Sequence, residues 1–147
     1  MQPRLDHFSV APKAFAPMLA MEKYLSDCAL EHSLIELVKM RASQINGCAY
    51  CVHMHAKEAR AAGETEQRLH LLNAWQESSL YTDRERAALA WTEALTNLVE
   101  SRAPDHIYEE VSKYFTPEEQ VQLTVAITQI NAWNRIAVGF RATHPAE

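Results

Sequence analysis

Apolar residues recur along most of the chain at intervals of three and four, the spacing that places side chains on one face of an α-helix. The clearest stripe consists of Leu34, Ile35, Leu37, Val38, Ala42 and Ile45. We find no convincing alternation of apolar and polar residues bounded by turn signals, and therefore no strand. The pattern predicts an all-α fold.

Capping residues and turns place the helix boundaries. Thr82 and Thr116 each stand three residues before a glutamate, which is the spacing of a capping box. Asn46-Gly47 and Gly63 are typical of helix ends. The predicted helices cover about 13–29, 34–45, 48–63, 65–75, 83–95, 104–115 and 117–138. Pro17 is expected only near the start of the first helix, because proline lacks the N–H that a helix interior uses.

The interior segment 77–82 is the most loop-like stretch of the chain. We expect it to expose Leu80 and Tyr81, which would then line a pocket or a subunit contact. The alternative is that both side chains are tucked into the core.

The bulk composition is that of one globular domain, 1–147, because the chain has 147 residues, of which 48% are hydrophobic and 22% charged. A net charge of −5, with no run of Lys or Arg longer than a pair, argues against nucleic-acid binding. No apolar stretch is long enough to span a bilayer, and the first residues lack the layout of a signal peptide. We therefore expect no membrane partner and a cytoplasmic location.

A cysteine pair and a histidine stand out in the predicted central helix. Cys48, Cys51 and His55 are three and four residues apart, so all three side chains lie on one helix face. Three cysteines are too few for a disulfide scaffold. In a reducing compartment a close cysteine pair is more often catalytic or metal-binding.

This spacing suits dithiol chemistry. A helix N-terminus and a nearby imidazole both favour the thiolate, which is the nucleophilic form of cysteine. A peroxide would oxidise one thiol to a sulfenic acid, the second thiol would close a disulfide, and an external dithiol would reopen it. Glu36, in the preceding helix, is a candidate to orient His55. The alternative is that Glu36 is a solvated surface charge.

Other interpretations of the cysteines remain open at this point. With Cys28 or His53 as a fourth ligand the pair could bind zinc, although structural zinc sites usually join two ligand clusters. Two inert buried cysteines are a further possibility, whereas a thioredoxin-like fold would need a βαβ pattern that the chain lacks. We expect neither a metal nor a cofactor.

The stretch ELVKMRASQINGCAYCVHMHAKEARAAGE, which begins at Glu36, strongly resembles the AhpD-like alkylhydroperoxidase core of the carboxymuconolactone decarboxylase superfamily. The segments TDRERAALAWTEALT and NAWNRIAVGFRATHP also look like this group, so the resemblance covers roughly residues 12–145. The family pattern is a glutamate, then Cys-x-x-Cys, then a histidine four residues on. Glu36, Cys48, Cys51 and His55 match it.

The resemblance implies a single-domain AhpD-like helical fold, with the cysteines at the start of a central helix, and a homo-oligomer, often a trimer or hexamer. It also implies a peroxidase in which Glu36 and His55 relay the proton of Cys51. Cys51 would attack the peroxide, and Cys48 would resolve the intermediate and face the reductant. In the family the reducing equivalents can come through a lipoylated protein, and a peroxiredoxin can be the partner served.

Two tyrosines are further candidates for proton transfer or for the lining of the pocket. Tyr50 stands immediately before Cys51, where the namesake AhpD has a histidine. Because tyrosine replaces histidine at this position, the proton relay and the reductant can differ from those of the namesake. Tyr81, from segment 77–82, is the second candidate.

The leading hypothesis is an antioxidant enzyme, a thiol-dependent peroxidase or oxidoreductase that acts on organic or hydrogen peroxide. A redox-sensing module, or a disulfide reductase that serves a partner, would use the same first oxidation. A carboxymuconolactone decarboxylase is less favoured, because that chemistry does not need a dithiol.

Overall fold

The computed structural model describes residues 2–146, and every regular element in that range is helical. The helices are α1 (His7–Val10), α2 (Pro12–Asp27), α3 (His32–Ile45), α4 (Ala49–Ala61), α5 (Glu66–Leu71), a 3₁₀ helix (Leu72–Glu77), α6 (Asp83–Thr96), α7 (Leu98–Ser101), α8 (Asp105–Tyr114) and α9 (Pro117–Phe140). The prediction of an all-α fold is confirmed. The two end residues of the predicted domain lie outside the described residues.

Both predicted capping boxes are confirmed. The Thr82 hydroxyl accepts from the backbone N–H of Glu85, and the Glu85 carboxylate accepts from the N–H of Thr82. Thr116 and Glu119 do the same at the start of α9. Each cap satisfies N–H groups that would otherwise lack partners, a contribution of about 1 kcal/mol.

Helix α3 lies at the centre of the fold and packs against α4, α6 and α9. Its apolar residues Leu37, Val38 and Ala42 are at most 1% exposed. Because neighbours surround α3 on several sides, it also buries polar residues, among them Glu36 and Lys39. Polar side chains in such a position need partners, since an unpaired buried charge costs several kcal/mol.

Several local predictions differ from the structure. The four-residue helices α1 and α7 were not predicted, because such short elements carry no periodic signal. Pro17 lies inside α2 rather than near its start, and the helix continues past it at the cost of the one hydrogen bond that its missing N–H would donate. Tyr81 is buried rather than exposed, at 5% exposure.

Within residues 2–146, none of the helices combines the length and the apolar character that crossing a bilayer requires.

Candidate active site

The turn between α3 and α4 sets the position of the first cysteine. Gly47 has φ +64°, in the left-handed region that glycine adopts without strain. The Asn46 side chain donates to Oδ1 of Asn131 and of Asn134 in α9, at 3.0 and 2.9 Å. At about 1 kcal/mol each, these hydrogen bonds fix the turn against α9.

Cys48 follows as the N-cap of α4, which confirms that the pair lies at the start of this helix. The backbone N–H of Cys51 donates to Sγ of Cys48 at 3.3 Å. The two cysteines form a disulfide with their Cα atoms 5.4 Å apart, a usual separation for such a bond. Each residue is 2% exposed.

His55 lies one turn further along α4, and the structure brings Glu36 to it from α3. Nδ1 of His55 is 2.9 Å from Oε2 of Glu36, and both side chains are 4% exposed. Carboxylate oxygens only accept, so Nδ1 carries the proton of this hydrogen bond. Nε2 is then the ring nitrogen that can act as a base.

A second carboxylate reaches the same ring nitrogen. Oε2 of Glu58 lies 3.3 Å from Nδ1 of His55, and the Glu58 side chain is 50% exposed. The sequence analysis did not single out Glu58, although its position three residues after His55 on one helix was a usable signal.

The two carboxylates change the proton affinity of His55. Burial alone lowers the pKa of His55, but the hydrogen bonds to Glu36 and Glu58 outweigh it and raise the pKa above the ordinary value of 6.5. The charge of Lys39 opposes this rise. In return, the hydrogen bond from His55 holds the pKa of Glu58 below its ordinary value. His55 is therefore a stronger base than a solvated histidine.

Among residues 2–146, one cluster has the composition and the spacing of a metal site. Its ligating atoms, from Glu36, His55 and Glu58, lie within 4.8 Å of one another. The proton on Nδ1 already accounts for this convergence, since both carboxylates lie within reach of it. The zinc ligands considered from the sequence are elsewhere: Cys28 packs beside the cluster of Leu34 and Trp91, and His53 stacks on His144.

A pocket of about 410 Å³ opens beside the disulfide. Cys51 and His55 both line it, whereas Cys48 does not. The remaining wall is mainly apolar and comes from α1, α2, α4 and α9, with Phe8, Leu19, Met54, Ile130, Trp133 and Ile136. Cys51 and His55 therefore share a largely apolar pocket with room for an organic molecule.

The charged groups of the pocket wall are largely paired. Nζ of Lys39 donates to Oε2 of Glu22 at 2.7 Å, and Nε1 of Trp133 donates to the other oxygen of Glu22 at 2.8 Å. Lys39 is only 8% exposed, so its pairing with Glu22 offsets much of the cost of burying the charge.

The two candidate tyrosines lie in different places. Tyr50 lines the pocket and is 37% exposed. The structure does not bring Tyr81 to this site: its hydroxyl donates to the backbone carbonyl of Arg68, and its ring packs in the cluster of Leu69 and Trp75. The core alternative for Tyr81 is therefore the correct one, because its hydroxyl finds a buried partner there.

Comparison with known proteins now decides the family. Residues 11–94 match the model of the carboxymuconolactone decarboxylase family. The chain belongs to this family. YdfG, an uncharacterised protein of Bacillus subtilis strain 168, is 41% identical over 138 residues, which are 94% of each chain. The family match confirms the resemblance that the motif predicts.

Two solved structures have a similar fold. A protein of unknown function from Agrobacterium tumefaciens, described as a candidate antioxidant defence protein AhpD, superposes with a TM-score of 0.97. It is 49% identical, and the match covers 99% of this chain and 100% of that one. The debrominase Bmp8 gives a TM-score of 0.85 at 19% identity, over 95% of this chain and 75% of its own. At that identity the likeness concerns the fold alone.

Proposed function

We propose that the protein is a thiol-dependent peroxidase that reduces organic or hydrogen peroxides through Cys48 and Cys51. The observation that carries the proposal is that Cys51 and His55 line one apolar pocket, with Cys48 bonded to Cys51 and Glu36 hydrogen-bonded to His55. A nucleophile, a base, an orienting acid and a resolving thiol are thus all within one short helix and its neighbour.

The first step oxidises Cys51. In the reduced protein, Nε2 of His55 takes the thiol proton of Cys51, and the thiolate attacks the terminal oxygen of the hydroperoxide. The O–O bond breaks, Cys51 becomes a sulfenic acid, and the alkoxide takes the proton from His55 and leaves as an alcohol. The raised pKa of His55 favours the proton uptake that starts this step.

The second step closes the disulfide. The Cys48 thiol attacks the sulfenic sulfur of Cys51, and the hydroxyl leaves as water with the Cys48 proton. An external dithiol then restores both thiols and is itself oxidised to a disulfide. Over one cycle the hydroperoxide becomes alcohol and water at the expense of one dithiol.

The reductant reaches the site through the pocket. Cys48 is the sulfur that we predict to face the reductant; both cysteines are only 2% exposed, and of the two only Cys51 lines the pocket. A slender dithiol attached to a larger carrier suits such a recessed disulfide. We therefore retain a lipoylated protein as the proposed reductant and a peroxiredoxin as a proposed partner.

The other properties that we propose follow from the family and the chemistry. A homo-oligomer, trimer or hexamer, would cover exposed apolar residues such as Leu98, Val99 and Val121, which are 50%, 81% and 63% exposed in the single chain. A cycle that depends on reduced thiols suits the cytoplasm.

Steady-state turnover tests the proposal. Wild type, Cys48→Ser and Cys51→Ser are each given cumene hydroperoxide with dihydrolipoamide, and peroxide loss is followed over many equivalents. We expect repeated turnover in wild type and none in either variant. Oxidation of wild type once, without turnover, would instead support the redox-sensing module. Equal peroxide loss with and without the cysteines would contradict both.

A further inference from the structure

The side chain of Glu58 is in contact with the catalytic histidine, and none of the steps above assigns it a role of its own. It lies three residues after His55 on α4, and its Oε2 is 3.3 Å from the same Nδ1 that Glu36 approaches to 2.9 Å. A single ring nitrogen therefore has two carboxylate neighbours, which come from different helices. One of them is buried and the other is half in solvent.

The two carboxylates together favour a positive charge on the ring of His55. Two carboxylates bring two negative charges to a ring that can bear at most one positive charge. An opposite charge within about 4 Å favours the charged form of a titratable group. We propose that Glu58 is a positioning residue of this site, which acts with Glu36 to hold the imidazolium form of His55 after it takes the thiol proton.

The two carboxylates have different roles because they differ in burial. Glu36 is fixed between α3 and α4 and serves as the permanent hydrogen-bond acceptor that orients the ring. Glu58 adds negative charge at the edge of the pocket, of which it forms part of the wall. Its exposed half keeps the carboxylate solvated, so its charge is available without the full cost of burial.

Other ionisable groups also surround His55, and among them Glu36 raises the pKa of His55 as Glu58 does, while Lys39 lowers it. They are Glu36, Lys39 and His32 on α3, Cys51 on α4, Glu22 on α2, and Tyr50 and His7 in the pocket wall; α9 lines the pocket with uncharged side chains only. Lys39 opposes a positive charge on His55, but it is paired with Glu22 at 2.7 Å. His32 reaches only the second oxygen of Glu36, at 3.9 Å.

The role of Glu58 in catalysis rests on the proposed function. The titration that tests the effect of Glu58 on His55 does not depend on that function. In the disulfide form neither Cys48 nor Cys51 can titrate, so no thiol contributes to the titration of His55. The ring signals of His55 are followed by NMR against pH in the oxidised protein and are assigned by their loss in His55→Asn. The variants are Glu58→Gln, which keeps the shape and removes the charge, and Glu66→Gln as a matched control.

Glu66 suits the control because its side chain is 55% exposed, close to the 50% of Glu58, and pairs with Arg60 rather than with His55. We expect Glu58→Gln to lower the midpoint of His55 by about half a pH unit or more, and Glu66→Gln to leave it in place. In the reduced protein, Glu58→Gln is expected to slow peroxide-driven thiol loss at neutral pH by about threefold to tenfold.

An unchanged midpoint in Glu58→Gln would overturn the inference, and so would an equal shift in Glu66→Gln, which would show a general charge effect. A shifted midpoint with an unchanged rate of thiol loss would also overturn it, because Glu58 would then not act on the reaction. If wild type itself lost no thiols to peroxide, the proposed function would fail, while the titration would still report the charge coupling between Glu58 and His55.

Discussion

Nδ1 of His55 lies 2.9 Å from Oε2 of Glu36, and both side chains are 4% exposed. A carboxylate this deeply buried is tolerated only with a partner that balances its charge. His55 donates Nδ1–H to this carboxylate and balances its charge once Nε2 is protonated, and the same contact fixes Nε2 as the ring nitrogen that can accept a proton. One hydrogen bond therefore gives the buried Glu36 carboxylate its partner and orients His55 for its proposed role as a base.

Removing the charge of Glu36 should weaken the base. Glu36→Gln keeps the size of the side chain and an oxygen that can accept from Nδ1, so the fold is expected to persist while His55 loses the negative charge of its main acceptor. We expect the second-order rate of thiol oxidation by cumene hydroperoxide to fall by about a hundredfold. Glu93→Gln is the control, since Glu93 is partly buried, with its side chain 24% exposed, and pairs with Arg41 rather than with His55. Equal loss in both variants would point to a general effect on folding.

The raised pKa of His55 predicts how stability depends on pH. A histidine whose folded pKa lies above its unfolded value stabilises the protein fully below the unfolded pKa, near 6.5, and this contribution is lost as the pH rises through the folded pKa. In urea unfolding of the oxidised protein, the stability advantage of wild type over His55→Asn should therefore shrink as pH increases from 6 upward. A stability advantage of wild type that grows with pH would contradict a raised pKa of His55.

The order of the cysteines can be tested by trapping the intermediate. Because Cys51 lines the pocket and Cys48 does not, Cys48→Ser should react with one equivalent of peroxide and stop at a sulfenic acid on residue 51. A dimedone adduct detected by mass spectrometry reports this species. In Cys51→Ser the adduct should form at least about tenfold more slowly. Faster labelling of Cys48 would reverse the assignment.

Gly47 offers a test of how the turn positions the site. An alanine there would keep φ +64° only at a cost of about 1–2 kcal/mol, although a Cβ would meet nothing within 4 Å. Gly139 is the control, since its Cβ would also meet nothing within 4 Å, but it lies in α9. We expect Gly47→Ala to lower the free energy of unfolding by that amount. Gly139→Ala should leave it unchanged or raise it by up to about 1 kcal/mol.

The sequence alone predicts those features that depend on the spacing of residues within one helix. Cys48, Cys51 and His55 share a face because their spacing is helical, and both capping boxes are local patterns. Glu58 could have been predicted as a neighbour of His55 in the same way, because its spacing from His55 is also helical.

The remaining features depend on contacts between distant segments. Burial of Glu36 requires α4 to pack on α3, and the pocket needs Phe8 from α1 and Trp133 from α9. Tyr81 is buried because Arg68 and its backbone carbonyl happen to lie beside it. Local propensity contains no information about such long-range partners.

The stoichiometry of oxidation shows whether the two cysteines together reduce a peroxide. The fully reduced protein is titrated with cumene hydroperoxide, and free thiols, remaining peroxide and the alcohol product are counted at each addition. We expect two thiols to be lost and one alcohol to form for each peroxide consumed, with the third cysteine, Cys28, left free. Thiols that persist while excess peroxide remains would contradict this expectation.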